Sequence, residues 1–422
     1  MSKVKMVIAI SILLAITVIL YSTNSINIVD KNGNEQKITL KIVTNRTDLV
    51  DSKLKHLANE YESLHPDIEI VFEGIKQPND LLKIRAAVGE SADITIVPTD
   101  ISRKSLSTFY KPIDDLGFNS KNLNSYSSGL GSDNRLYAVN SGVAYCGIVY
   151  NKNSFKKAGI EKIPKTLEEF YDDCDKLKKD NIIPFAINLG DEWPLEIYSD
   201  DFALPMEKLG DSDYSNELLD KDLFSNDGGL SYSLNFLKNM KDRQYIEPNF
   251  MQANWSNFKI KHAKGEIAMT FLGSWYPNQL IDFGATENDI GMFPFPDTDV
   301  IVEDTEWLFA ISKDSKHLKE SSELFKWLFY DGKYAEACDI APAVDQGKSQ
   351  KWFLNELLSY NKKIILGNDR NKETLEAFNE FNHPLTSIFK EYLTSDNPNE
   401  VIEKYNKRWR QATNKAKENN EE

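Results

Sequence analysis

The sequence predicts an α/β fold, and three observations carry that expectation. Short apolar runs of period two alternate with longer apolar runs at helical spacing. Between residues 37 and 98 the order is strand, helix, strand, helix, strand, the pattern of a mostly parallel sheet with helices on its faces. The chain has 422 residues, enough for two domains or one large two-lobed body.

Each element follows from its residues. In residues 37–45 (KITLKIVTN), Ile38, Leu40 and Ile42 alternate as in a strand. Leu49, Leu54, Leu57, Ala58, Tyr61 and Leu64 sit close to helical spacing, and Pro66 stops that helix. Residues 68–75 form a second strand, 80–90 a helix ended by Gly89, and 92–98 a third strand. Two more strands are expected at 135–139 and 142–151. Helices follow at 152–158 and 167–179, the second opened by Thr166 with Glu169 completing a capping box. A short strand at 185–188 precedes a helix-rich stretch over 197–242. Residues 258–275 read as helix, turn at Gly265, then strand; 290–296 is extended. A strand at 306–312 and a helix at 317–329 come next. The remainder is expected to be helical, with Trp352 and Trp409 in amphipathic cores and a Lys/Glu/Asn-rich solvated tail.

Residues 1–24 stand apart. Lys3 and Lys5 precede the apolar run MVIAISILLAITVIL, which reads as an export signal or an uncleaved membrane anchor. Residues 25–36 are polar and turn-rich, a tether. This places the protein on the outer face of the cell membrane. The net charge of -15 argues against a nucleic-acid partner, because a phosphate backbone is repelled at long range. Cys146, Cys174 and Cys338 are widely spaced and read as small buried hydrophobes. The five histidines never pair at a metal-ligand spacing, no phosphate-binding loop is present, and no Gly-x-Ser-x-Gly turn occurs. No cofactor and no enzymatic activity are expected, and the protein is read as a monomer.

One stretch is more specific. Residues 135–177 contain Leu136-Tyr137-Ala138-Val139, Tyr150-Asn151-Lys152, Ala158-Gly159-Ile160 and Pro164-Lys165-Thr166-Leu167-Glu168-Glu169-Phe170. This segment resembles the one that marks extracellular solute-binding proteins of sugar-type ABC importers, the maltose-binding-protein-like family. LANEYESLHPDIEIVFEGI, AAVGESADITIVP, HAKGEIAMTFLGSW and EWLFAISKDSKHLKESSELFKWL agree with it in the same order. No cysteine follows the apolar run, a departure from members anchored by a lipid. The resemblance implies a two-lobed, type II periplasmic-binding-protein-like fold, with mixed sheets flanked by helices and hinge strands between lobes. It implies lobe 1 over 37–143 plus 307–333 and lobe 2 over 144–306 plus 334–422. The crossings are expected near 142–145 and 329–334, with Ser141, Gly142, Ala144 and Gly147 easing the bend. The implied function is capture of a small neutral carbohydrate and delivery to an ABC permease. A ligand-sensing partner of a histidine kinase, or a polyamine or peptide binder, is the alternative.

Ligands bind beyond the carboxyl ends of parallel strands. That rule selects Asn45, Arg46 and Asp48 after the first strand, and Thr99 and Asp100 after the third. It selects Asp191, Glu192 and Trp193 after residues 185–188, and Trp275 and Tyr276 after the strand ending near 273. Tyr145 and Trp307 lie on the crossings. A pyranose offers apolar faces to flat rings, and its hydroxyls to charged groups at roughly 1.5–3 kcal/mol per charge-assisted bond.

Overall fold

The computed structural model describes residues 37–76, 78–99, 101–344, 352–367 and 370–421. The expected export segment and tether lie outside these, as does Asp100. Among the described residues the strands are β1 (Ile38–Thr44), β2 (Ile68–Gly74), β3 (Ile94–Ile96), β4 (Ala138–Asn140), β5 (Val143–Asn151) and β6 (Ile183–Phe185). They continue with β7 (Ile267–Gly273), β8 (Ile290–Phe293), β9 (Val300–Thr305), β10 (Leu308–Ile311) and β11 (Lys363–Leu366).

They build two separate sheets. The first has the order β2-β1-β3-β10-β4, with β1 parallel to β2 and β3, and β10 antiparallel to β3 and β4. The helix Lys53–Leu64 makes the β1-to-β2 crossover. It buries Leu54, Leu57, Ala58 and Tyr61, one stripe at helical spacing; each buried leucine contributes about 1.5–3 kcal/mol. The second sheet has the order β11-β9-β5-β7-β6, with β8 also on β5. The helix Leu167–Lys179 that covers it starts with the expected box: Thr166 Oγ1 accepts the Glu169 N–H, and Glu169 accepts the Thr166 N–H in return.

Each sheet has its own core. Leu40, Ile42, Leu57, Ile94, Phe309 and Leu324 belong to the first; Phe170, Phe185, Phe236, Phe271 and Phe295 belong to the second. Residues Tyr334, Ala335, Cys338, Ile340, Ala343 and Val344, assigned from sequence to the second lobe, pack into the first core. The helix Lys333–Cys338 packs on the helix Lys53–Leu64, and Val344 bridges Leu123 while Ala343 O accepts the Asn124 N–H at 3.0 Å.

Two adjacent threads link the sheets. Only Ser141 and Gly142 separate β4 from β5, and only Glu306 and Trp307 separate β9 from β10. The threads run antiparallel: Ser141 N–H donates to Trp307 O at 3.0 Å, and Glu306 N–H donates to Gly142 O at 3.1 Å. A third passage lies against them, since Val143 N–H donates to Ala341 O at 2.9 Å. A Cβ on Gly142 would come within 2.5 Å of Ile340 Cδ1 and 2.6 Å of Ala341 O. Gly142 is therefore required by close packing of the threads, not only by bending.

Three expectations need correcting. β9 was not read as a strand, because its second half, Glu303-Asp304-Thr305, is polar on both faces. β11 interrupts the region expected to be helical; it pairs in parallel with β9 at the sheet edge. The C-terminal helix Pro398–Glu421 buries Trp409 as expected, its Nε1 donating to Leu218 O at 2.9 Å, but the Lys/Glu/Asn-rich end expected to be solvated also packs, burying Ala412 and Ala416. The three cysteines are free and buried.

Candidate ligand-binding cleft

The site is built around three tryptophans. Trp193 follows β6 at the start of a 3-10 turn, Trp255 opens the helix Trp255–Ala263, and Trp275 follows β7. Their rings form a cluster: Trp193 lies 4.8 Å from Trp255 at 72° and 5.7 Å from Trp275 at 46°, and Trp255 lies 6.0 Å from Trp275. All three are only partly buried. Trp275 packs against both the first core and a cluster of the second half, so the wall stands at the junction of the two bodies.

Local backbone chemistry puts the rings there. A Cβ on Gly273 would fall 2.4 Å from Trp275 Nε1, so only glycine lets the indole fold back over the strand end. A Cβ on Gly190 would fall 2.0 Å from Ala253 O, so the loop after β6 can press against the chain leading to Trp255. Asp191 Oδ2 then accepts the Trp255 N–H at 2.5 Å. Ser274 Oγ accepts the Tyr145 N–H at 3.0 Å, and Ser274 N–H donates to Tyr145 O, fixing Tyr145 beside Trp275.

The floor is acidic and comes from the threads. Tyr145 hydrogen-bonds Glu303; burial raises the Glu303 carboxyl, and that bond lowers it in part. Asp304 is pushed well up by burial and by the charges of Asp201 and Glu306. Glu306 is raised by burial, with Arg46 opposing and Asp201 adding. Across from them Asp201 is pushed up to about 6 by burial and Asp200, against the pull of Arg370. Burial together with Asp201 and Asp200 pushes Glu196 up to about 8. Glu196 and Asp201 nonetheless touch solvent; these carboxylates reach water from inside a recess. Asp201, Glu303, Asp304 and Arg370 line a hollow of about 230 Å³ there.

The first body contributes Arg46. Its guanidinium holds Asp48 in a fork at 3.0 and 2.9 Å and donates to Cys338 O at 3.1 Å. Burial opposes the Arg46 charge, but the bond to Asp48 keeps it strongly cationic. Lys259 from the second body feels Asp48 directly: burial lowers its ammonium pKa while Asp48 raises it. The Lys259 ammonium also lies 5.5 Å from the Trp255 ring centre.

The candidates chosen from sequence divide accordingly. Arg46, Asp48, Tyr145, Trp193, Trp275 and the half-buried Trp307, which packs on the first core, stand at the junction. Asn45 is half-buried at the end of β1, its carbonyl accepting the Thr47 N–H. Thr99 is exposed and paired with Asn79. Tyr276 is 0% exposed, so the expectation that it faces the ligand is corrected. Its hydroxyl meets His262 Nδ1 at 3.0 Å and its ring stacks on Phe258 at 5.5 Å. Asp191 accepts the N–H that opens the helix Trp255–Ala263, and Glu192 pairs with Lys390. Trp255, Lys259, Glu196, Asp201, Asp304 and Glu306 were missed. Asn254, whose side chain caps the helix through Asn257 N–H at 2.9 Å, marked the correct helix start and would have put Trp255 at a loop end. Among the described residues no group of His, Cys, Asp and Glu is arranged to hold a metal ion.

Two α/β bodies, each with its own sheet and core, joined by adjacent threads and with a tryptophan cluster where they meet, are the architecture of an extracytoplasmic binding protein. The sequence profile of bacterial extracellular solute-binding proteins matches residues 46–333, and the chain belongs to that family. An ABC transporter extracellular-binding protein of Pyrococcus horikoshii is 27% identical over 287 residues, covering 64% of this chain and 62% of that protein. The multiple sugar-binding protein of Streptococcus mutans is 24% identical over 310 residues, covering 70% of this chain and 72% of that protein. A manno-oligosaccharide-specific solute-binding protein of Bifidobacterium animalis subsp. lactis, solved with mannotriose, superposes with a TM-score of 0.77 at 20% identity, covering 90% of this chain and 95% of that one. The chain thus spans slightly less than two thirds of the Pyrococcus relative's length.

Proposed function

We propose that the protein captures an oligosaccharide between its two bodies and presents it to the permease of an ABC importer. The observation that carries this is the cluster of partly exposed tryptophans at the junction of the two cores, set beside carboxylates that reach water. Indole faces stack on the apolar faces of pyranose rings, and carboxylates accept hydroxyl protons. The sugar-binding relative in Streptococcus and the mannotriose-bound neighbour support this ligand class.

The two cores support a first lobe over 37–141 plus 307–344 and a second over 142–306 plus the chain from 352 onward. Ligand contacts to both lobes favour the closed state, which docks on the permease. The apolar run at 6–20 would hold this monomer at the outer membrane face. The protein acts as a receptor, with no catalysis.

A thermal-shift panel of oligosaccharides, mannotriose among them, tests the reading. A ligand at 100 times its Kd stabilises the native state by about 2.7 kcal/mol and raises the midpoint. The acidic floor also fits a cationic guest. A shift with a polyamine and none with any sugar would replace the carbohydrate reading.

A further inference from the structure

β6 ends at Phe185, and one carboxylate takes over from the sheet on the way to Trp193. The segment 245–247 runs alongside β6: Phe185 N–H donates to Tyr245 O at 3.0 Å, and Phe185 bridges Ile246 in parallel. Further along, the backbone ladder stops and the Glu247 side chain continues it. Ile187 N–H donates to both Glu247 oxygens, at 3.2 and 3.1 Å, and Asn188 N–H donates to Oε1 at 2.6 Å. Glu247 is only 6% exposed, a costly place for a carboxyl without a task. Asn188 is 2% exposed with φ at 49°, and among the described residues neither end of its amide has a hydrogen-bond partner. The Asn188 side chain therefore contributes no hydrogen bond to its own strained position. Beyond it come Gly190 against Ala253, Asp191 on the Trp255 N–H, and Trp193.

We infer that Glu247 is a positioning residue for the tryptophan wall: its buried carboxylate holds the strand end that carries Trp193 towards Trp255 and Trp275. The inference rests on reading that wall as the ligand site, but the clamp itself works without ligand. Only the ionised carboxyl offers both oxygens as acceptors; protonation turns one into a donor. Burial pushes Glu247 up to about 7, while the bonds from Asn188 and Ile187 and the charge of Lys261 pull it down. Lys261 on the helix Trp255–Ala263 and the neutral Tyr198 phenol on the turn Trp193–Tyr198 are the titratable groups that act on it. The clamp therefore tightens as pH rises through neutrality.

Amide hydrogen exchange of the ligand-free protein, from about pH 5.5 to about pH 8.5, reads this directly after correction for intrinsic rates. A background carrying Glu196→Gln and Asp201→Asn removes the carboxyls pushed to about 8 and about 6, and the comparison with Glu247→Gln in that background separates Glu247 from the raised carboxyls that remain. We expect at least tenfold better protection of Ile187 and Asn188 above an inflection near pH 7, with a matching change in tryptophan fluorescence. Glu247→Gln keeps the shape but lacks the second acceptor; it should lose the inflection and stay at the weakly protected level. Flat protection in the background protein, or an inflection retained in Glu247→Gln, overturns the inference. If Glu247→Gln does not fold, the profile of the background protein alone decides. A Trp193→Ala variant that binds mannotriose as tightly as the parent protein would instead remove the ligand role of the wall and leave the exchange result standing.

Discussion

Trp275 and Tyr276 are neighbours with opposite fates. Trp275 keeps part of its ring in the cleft, and Tyr276 is enclosed by Phe258, Trp255 and His262. Trp275→Ala should weaken oligosaccharide binding roughly 10- to 100-fold, or about 1.5–3 kcal/mol, measured by calorimetry. An unchanged Kd would remove the ring from the site. Tyr276→Phe should leave affinity intact and cost about 1–3 kcal/mol in denaturant unfolding, because the fully buried His262 Nδ1 loses its hydrogen bond to the Tyr276 hydroxyl. The sequence placed both residues at the end of a strand. It could not tell them apart, because consecutive residues at such a turn face different sides and only the surrounding rings show which side is solid.

At the scale of elements, the loop after β6 and the threads matter most. Asp191 was chosen as a ligand contact; it acts on the backbone of Trp255. Asp191→Ala should cost about 0.5–2 kcal/mol in stability, the usual effect of losing a helix-end acceptor. Affinity should fall with it as Trp255 shifts; a stability loss with unchanged affinity would separate the loop from the site. Gly142→Ala forces a methyl into Ile340 and Ala341 O. Overpacking of this kind costs about 1–3 kcal/mol, and the thermal midpoint should drop accordingly. The small residues at 141–142 were legible as a crossing in the sequence. That the third passage presses on them was not, because residues 340–341 are far away in the chain and meet Gly142 only after both bodies fold.

For the whole molecule, the carboxylates of the floor contribute to the pH dependence, together with the buried Glu207 and Glu247, whose carboxyls burial also raises. Glu196 moves from 4.5 up to about 8 and Asp201 from 3.8 up to about 6. Over that window the folded protein holds protons that the unfolded chain releases, so stability falls as pH rises. The stabilising share is complete below the unfolded values and is gone above about 8. Asp48 and Glu73 shift the other way through their arginine partners, and their share is lost on acidification. Thermal midpoints should therefore peak on the acid side of neutrality and decline toward pH 8. Glu196→Gln should flatten the decline; an unchanged slope would show that Glu196 titrates normally.

The sequence by itself determined the alternating elements of the first sheet, the capped helix at Leu167–Lys179, the crossing at Gly142 and the tryptophans at strand ends, because those depend on period, capping and turn chemistry within a few residues. Only the tertiary structure decided that Asp191 holds the Trp255 N–H and Glu192 meets Lys390, that Tyr276 is core, and that Glu196, Asp201, Asp304 and Glu306 lie close enough to act on one another's charge. The physical reason is that burial and charge proximity belong to the space between two bodies whose parts are distant along the chain.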